Sequence, residues 1–243
     1  MAFSKISDFA RKVLPPRTCG AVIVAGGSAS RMGGIDKVMA ELCGCPMIVH
    51  AVRAFDACDA ICEIVIVTRP DLVEPIQALC GEFSKVRAVV VGGSSRQESV
   101  ENGLTALSKG TKMAAIHDGA RPLITQAVID RTVRAAHLYG AAAPVIPVKD
   151  TIKTVAAGLV ADTPDRASLR AVQTPQVFQA DILKAALQSV FEQGVEVTDD
   201  CSAVEKLGKA VYLIDGDEAN LKITTPMDLV LAEAILRARE EQR

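Results

Sequence analysis

Apolar positions along the chain fall into short β-branched runs, which alternate with longer stretches where apolar residues recur every three or four positions. Residues 21–25 (AVIVA), 64–67 (IVIV), 86–91 (VRAVVV), 114–117 (AAIH) and 141–148 read as buried strands. Residues 46–55, 72–79, 97–107, 126–137, 180–193 and 226–239 read as helices. Strand, loop and helix in repetition give βαβ units. The pattern therefore predicts an α/β fold with a mostly parallel sheet flanked by helices.

The alternation breaks at about Lys149. From 150 to 176, polar and apolar residues alternate (TIKTV, then GLV) around Gly158, and no helix of ordinary length fits. This segment reads as a β-hairpin arm projecting from the sheet, and an exposed arm with open edges needs a surface to pair with. At the other end, Phe3, Ile6, Phe9 and Val13 recur at helical spacing before Pro15-Pro16, so residues 1–18 read as a helical extension. No internal repeat or low-complexity linker interrupts the rest. Residues 19–243 are expected to form a single domain that carries the arm at about 150–176.

Composition narrows the function. Of 243 residues 49% are apolar, enough for a sizeable core. Aromatics are 3% and Trp is absent, which argues against the stacking platforms of single-stranded nucleic-acid binders. A net charge of -2 leaves no basic footprint for a polyanion, so a phosphate ligand must be held by a few local cations and backbone amides. None of the seven cysteines forms a C-x-x-C pair, and only three His residues occur. That argues against zinc and for reduced, mostly buried thiols in a cytoplasmic protein. No run of ~18 apolar residues marks a membrane span, and the first 18 residues have no apolar h-region of a signal peptide.

The first strand runs into Ala25-Gly26-Gly27-Ser28-Ala29-Ser30-Arg31-Met32-Gly33-Gly34, followed by Asp36 and Lys37. Glycines here let backbone amides approach a phosphate chain. The loop lacks the G-K-[ST] ending of a Walker A motif and the G-x-G-x-x-G dinucleotide fingerprint. Its distinguishing feature is an Arg followed shortly by a Lys. Ala25, Gly26 and Gly27 can cradle a triphosphate while Arg31 and Lys37 neutralise charge that builds during phosphoryl-type transfer. A plain β–α turn with two solvated cations is the bland alternative. Two Gly, small residues and then Arg-Met-Gly resemble the nucleotidyltransferases that activate sugars and polyols with nucleoside triphosphates.

Later strand ends add to this picture. Gly92-Gly93-Ser94-Ser95-Arg96-Gln97-Glu98-Ser99 follows the third strand and should face the first loop, because ligands of parallel sheets collect at carboxyl ends. The same residues also read as a helix start with Ser95 as cap and Glu98 at the third position. His117-Asp118-Gly119-Ala120-Arg121-Pro122 closes the fourth strand, and Asp118 is the natural seat for Mg²⁺ beside bound phosphates. Val148-Lys149-Asp150-Thr151-Ile152-Lys153 opens the arm. Asp165-Arg166 and Gln173-Thr174-Pro175-Gln176 close it. Asp199-Asp200 and Asn220-Leu221-Lys222-Ile223-Thr224 follow.

In order and spacing, these segments from Ala21 to about Ala238 resemble the 2-C-methyl-D-erythritol 4-phosphate cytidylyltransferase family. The resemblance implies a Rossmann-like nucleotidyltransferase fold, CTP and a polyol phosphate as substrates, Mg²⁺ or another divalent cation, and a homodimer. It makes Arg31, Lys37 and Lys222 the cations at the reacting phosphates and Asp118 the metal ligand. Ala25, Gly26, Gly27, Gly93, Ser99 and Gly119 would meet the nucleotide. Arg121, Thr151, Arg166 and Thr174 would hold the polyol phosphate, with Thr151 and Arg166 reaching the neighbour's site on the arm. Two departures stand out: Asp36-Lys37-Val38 where the family usually has Pro-Lys-Gln, with a one-residue difference in loop length, and Gly119 where it usually has Ala.

The implied reaction is attack by a phosphate oxygen on the α-phosphorus of CTP, with pyrophosphate leaving in line. An anionic nucleophile needs no general base, which suits a chain offering Arg, Lys and Asp at loop ends. The rival readings are a ribitol-5-phosphate cytidylyltransferase, which shares the chemistry, and a non-catalytic nucleotide-binding paralogue. A nicotinamide oxidoreductase lacks its glycine fingerprint here.

Overall fold

A computed structural model describes residues 18–27 and 36–241. The expected N-terminal helix and Arg31 lie outside the described residues.

The central sheet grows outward from β1 (Cys19–Val24). On one side β1 pairs in parallel with β4 (Ile61–Thr68), which pairs in parallel with β5 (Val86–Val91). On the other side it pairs in parallel with β6 (Met113–Asp118). Beyond β6 the direction changes. β11 (Gln176–Gln179) lies antiparallel between β6 and β7 (Ala141–Pro147). One edge of β7 takes β10 (Arg170–Val172) antiparallel, and the edge opposite β11 takes β12 (Tyr212–Asp215) parallel. A short ribbon of β2 (Glu41–Leu42) and β3 (Cys45–Pro46) stands apart from this sheet.

Each inner strand buries both faces, which is why its sequence is an unbroken apolar run rather than an alternation. Ala21, Ile23, Ile64 and Ile66 point into one core. There they meet α1 (Met47–Asp56), α2 (Val73–Cys80) and α4 (Gln126–Tyr139), through residues such as Phe55, Ile76 and Ile129. Val22, Val65 and Val67 point to the other core. That core is covered by α3 (Arg96–Ala106), α5 (Ala180–Glu192) and α6 (Asp200–Lys206). Gly103 of α3 permits this packing at close range. A Cβ there would lie 2.3 Å from Val22 Cγ1, so a larger residue would push the helix off the sheet.

The last helix, α7 (Pro226–Glu241), covers a small third core of Leu42, Met47, Leu123, Ile223 and Ala232. The segment before it is drawn back to the sheet side: Ile223 N donates to Ala120 O at 2.8 Å.

The arm is shorter than its sequence suggests. The projecting hairpin is β8 (Thr154–Ala156) with β9 (Leu159–Asp162). Ala157 and Gly158, at φ +50° and +80°, make its turn, with the two left-handed residues that a tight hairpin favours. Residues 170–176, expected in the arm, instead supply β10 and the start of β11 in the main sheet. Further elements carried too little periodicity to be expected: the β2–β3 ribbon, seven-residue α6 and β12.

Candidate active site

Two cavities stand out among the described residues, one at each end of the strands. The first, about 470 Å³, lies at the amino ends of β4 and β5. Its buried carboxylate, Glu63, already accepts from Ser108 N at 3.0 Å and from the hydroxyls of Ser108 and Thr111. The second, about 440 Å³, lies at the carboxyl ends, where parallel sheets place their ligands. Its walls come from Ala25, Gly26 and Gly27 after β1, Lys37, the Gly93–Ser99 region that leads into and opens α3, Asp118 at the end of β6, and Lys222.

Asp118 is the electrostatic centre. Lys222 Nζ lies 2.9 Å from its Oδ2, Arg121 Nε 3.8 Å from the same oxygen, and Arg96 Nη2 3.8 Å from Oδ1. Burial pushes the Asp118 carboxyl up, but Lys222, Arg96 and Arg121 together outweigh it and hold the group below the usual carboxylate range. Burial also pulls down the Arg121 pKa, and Asp118 opposes that pull.

A hydrogen-bond chain fixes this centre from behind. Asp118 N donates to Thr174 Oγ1 at 3.1 Å, and Thr174 Oγ1 lies 2.9 Å from His117 Nδ1. His117 Nε2 is 3.1 Å from Arg121 O, an atom that only accepts. The proton of the neutral ring must therefore be on Nε2, which leaves Nδ1 to accept from the Thr174 hydroxyl. Desolvation is the main reason the ring stays neutral, taking the His117 pKa down to about 4. Asn220, fully buried, donates to Thr174 O at 2.9 Å, while Arg121 Nη1 donates to Asn220 O at 2.7 Å. The loop carrying Lys222 is thus tied to Thr174 and Arg121.

The structure brings Ala25, Gly26, Gly27, Lys37, Gly93, Ser99, Asp118 and Lys222 to one cavity. Gly93 N donates to Ser99 Oγ at 3.1 Å and Ser99 Oγ donates to Ser95 O at 2.9 Å, so these two groups first shape their own loop. Ser95 caps α3, accepting from Glu98 N at 3.1 Å, but the Glu98 carboxylate turns to Ser94 N and Oγ. Gly119 N is spent on Val24 O at 2.9 Å, so it offers no amide to a nucleotide. Thr174 is buried behind Asp118, with its hydroxyl committed to the chain just described. Thr151 and Arg166 are exposed on the arm side and outside this cavity, and Arg166 Nη1 donates to Lys149 O at 2.7 Å.

Arg96 is the cavity residue that sequence reading passed over. It bonds Asp200 Oδ2 through Nη2 at 2.7 Å. Only its position in the second glycine-bearing loop hinted at this, since Asp200 is distant in sequence.

Amides at the end of β1, cations at the ends of β5 and β6, and one carboxylate among them define a nucleotidyltransferase built on a doubly wound sheet. Comparison with known proteins specifies it further. A family model described as IspD, 2-C-methyl-D-erythritol 4-phosphate cytidylyltransferase, matches residues 19–238. A relative of that name from Caldanaerobacter subterraneus subsp. tengcongensis is 45% identical over 222 residues, covering 89% of this chain and 98% of the relative. One from Geobacillus kaustophilus is 43% identical over 222 residues, covering 90% and 97%. The crystal structure of the Thermus thermophilus enzyme of that name superposes with a TM-score of 0.74 at 32% identity, covering 89% of this chain and 98% of that one. The chain belongs to the 2-C-methyl-D-erythritol 4-phosphate cytidylyltransferase family.

Proposed function

We propose that this chain transfers the cytidylyl group of CTP to 2-C-methyl-D-erythritol 4-phosphate, forming 4-diphosphocytidyl-2-C-methyl-D-erythritol and pyrophosphate in non-mevalonate isoprenoid biosynthesis. The supporting observation is the convergence of Gly26, Gly27, Lys37, Asp118 and Lys222 on one cavity at the carboxyl ends of the strands. The polyol's phosphate oxygen attacks the α-phosphorus, and pyrophosphate leaves in line. With an anionic nucleophile the protein's task is to align the phosphates and stabilise migrating charge. Lys222 and Lys37 stabilise charge at the phosphates, joined by Arg31, which lies outside the described residues. Arg121, beside Asp118, positions the polyol phosphate.

A divalent cation such as Mg²⁺ suits Asp118. The residue lines the cavity, and Arg96 Nη2 stops 3.8 Å from its Oδ1, beyond hydrogen-bond distance. A single carboxylate completed by substrate phosphates is a common magnesium arrangement. Asp118 would hold the cation, whose chemistry is neutralisation of phosphate charge.

The working unit is a homodimer in the cytoplasm. Val155, Leu159 and Val160 of the hairpin are 66%, 74% and 62% exposed, and a two-stranded ribbon with apolar residues in water is marginal alone. Docked on a second copy, the arm brings Thr151 and Arg166 to the neighbour's polyol phosphate. The test of the activity is pyrophosphate release from CTP with methylerythritol phosphate and, separately, ribitol 5-phosphate. Turnover with the first alone supports the reading. Preference for the second would reassign the substrate.

A further inference from the structure

Arg96 Nη2 stands between two carboxylates, at 2.7 Å from Asp200 Oδ2 and 3.8 Å from Asp118 Oδ1. The near contact is a direct charge-assisted bond, and the far one lies beyond hydrogen-bond distance. Asp200 is 1% exposed, and Arg96 is its only ionic partner among the described residues. Gln176 of β11 fixes its position by accepting from Asp200 N at 3.0 Å and Cys201 N at 3.1 Å and donating to Asp199 Oδ2 at 2.7 Å. The first turn of α6 is therefore clamped to the sheet, and Asp200 holds Arg96 from a rigid base. On the far side, Lys222 Nζ lies 2.9 Å from Asp118 Oδ2, and Arg96 Nη2 stops 3.8 Å from Oδ1.

We infer that Asp200 is a positioning residue that restrains Arg96 from closing onto Asp118, and so keeps the Asp118 Oδ1 oxygen available to the divalent cation that accompanies the triphosphate. The inference rests on the assignment of Asp118 as the cation's seat. Without the Asp200 charge, a shift of about one ångström would bring Arg96 Nη2 into a direct pair with Asp118 Oδ1. The cation would then have to displace a guanidinium before binding. Burying a full carboxylate is costly, and this restraint gives Asp200 a role that a neutral residue could not fill.

The experiment measures CTP binding by calorimetry twice for each variant, once with Mn²⁺ and once in EDTA, without polyol phosphate. The ratio of the two affinities isolates the cation's contribution from any direct contact of Arg96 with CTP. Asp200→Asn should lower this ratio about 10–100-fold, as expected when a partner outside the ligand shell is lost. Arg96→Gln with Asp200→Asn should restore it to within about threefold of the wild type, because the competitor is gone. An unchanged ratio in Asp200→Asn overturns the inference. So does a double variant no better than the single one, since a merely structural Asp200 would give that result. Should Asp200→Asn fail to fold, Arg96→Gln alone decides: a retained ratio supports the restraint, and a loss beyond about tenfold refutes it. Asp118→Asn separates the underlying assignment. If it keeps the full ratio, the cation binds elsewhere and both readings fall.

Discussion

Lys222 Nζ sits 2.9 Å from Asp118 Oδ2, a half-exposed cation from the loop before α7 resting on a mostly buried carboxylate at the end of β6. Phosphate oxygens would offer Lys222 a more strongly charged partner, so under the proposed reaction the pair is expected to separate when triphosphate binds. Lys222→Ala should lower kcat by about 10²–10³-fold, with a much smaller change in CTP affinity, since its charge matters most as negative charge moves onto pyrophosphate. Single-turnover pyrophosphate release and direct CTP binding together check this. A normal kcat with a raised KM would reduce Lys222 to a binding residue.

Thr174→Val keeps the shape but removes the hydroxyl between Asp118 N and His117 Nδ1. Two buried polar groups then lose their partner, and stability should fall by about 1–3 kcal/mol. Thr174→Ser retains the hydroxyl and should recover most of that loss. Urea unfolding of the three proteins gives the comparison, and an equally stable valine variant would contradict the hydrogen-bond chain.

His117 also makes a pH prediction. Its pKa is lowered to about 4 in the fold by burial, while the unfolded chain titrates near 6.5. Between these values the unfolded state binds a proton that the folded state refuses. Stability contributed by the neutral ring is full above about pH 6.5 and is lost as pH falls toward 4, by on the order of 3 kcal/mol. Below pH 4 this contribution levels off. Unfolding free energies measured at intervals from pH 7 to 4.5 should show the decline, and His117→Asn should flatten it.

If the arm exchanges between subunits, Arg166 and Lys222 of one chain serve different sites. Mixing an Arg166→Ala chain with a Lys222→Ala chain then gives hybrid dimers with one site carrying both lesions and one carrying neither. Random mixing makes about half the dimers hybrid, so activity should return to about a quarter of the wild-type value. No recovery, once hybrids are shown by mass to have formed, would place Arg166 in its own subunit's site.

The inner strands were legible because burial on both faces forces continuous β-branched runs such as AVIVA and IVIV. Cavity residues at strand ends were legible for a related reason: the parallel sheet dictates where loops converge, so the glycines after β1 and Asp118 after β6 had to share one rim. Long-range partnerships left no such trace. Arg96 with Asp200, and Gln176 with the first turn of α6, depend on how the antiparallel strand β11 enters the sheet. Residues 173–176 read only as the closing end of the arm. The turn after β6 also misled at Gly119, where sequence offers an amide but the neighbouring Val24 carbonyl takes it.

The tie from Ile223 N to Ala120 O has a consequence for how the protein comes into being on the ribosome. Every strand of the sheet, the phosphate cradle and the Asp118 carboxylate precede residue 216, yet the Lys222 ammonium reaches them only when the segment after β12 returns to β6. A nascent chain can thus complete its sheet while its nucleotide site still lacks this cation. Competence arrives in the final stretch of synthesis, and any product ending before Lys222 lacks one wall of this cavity.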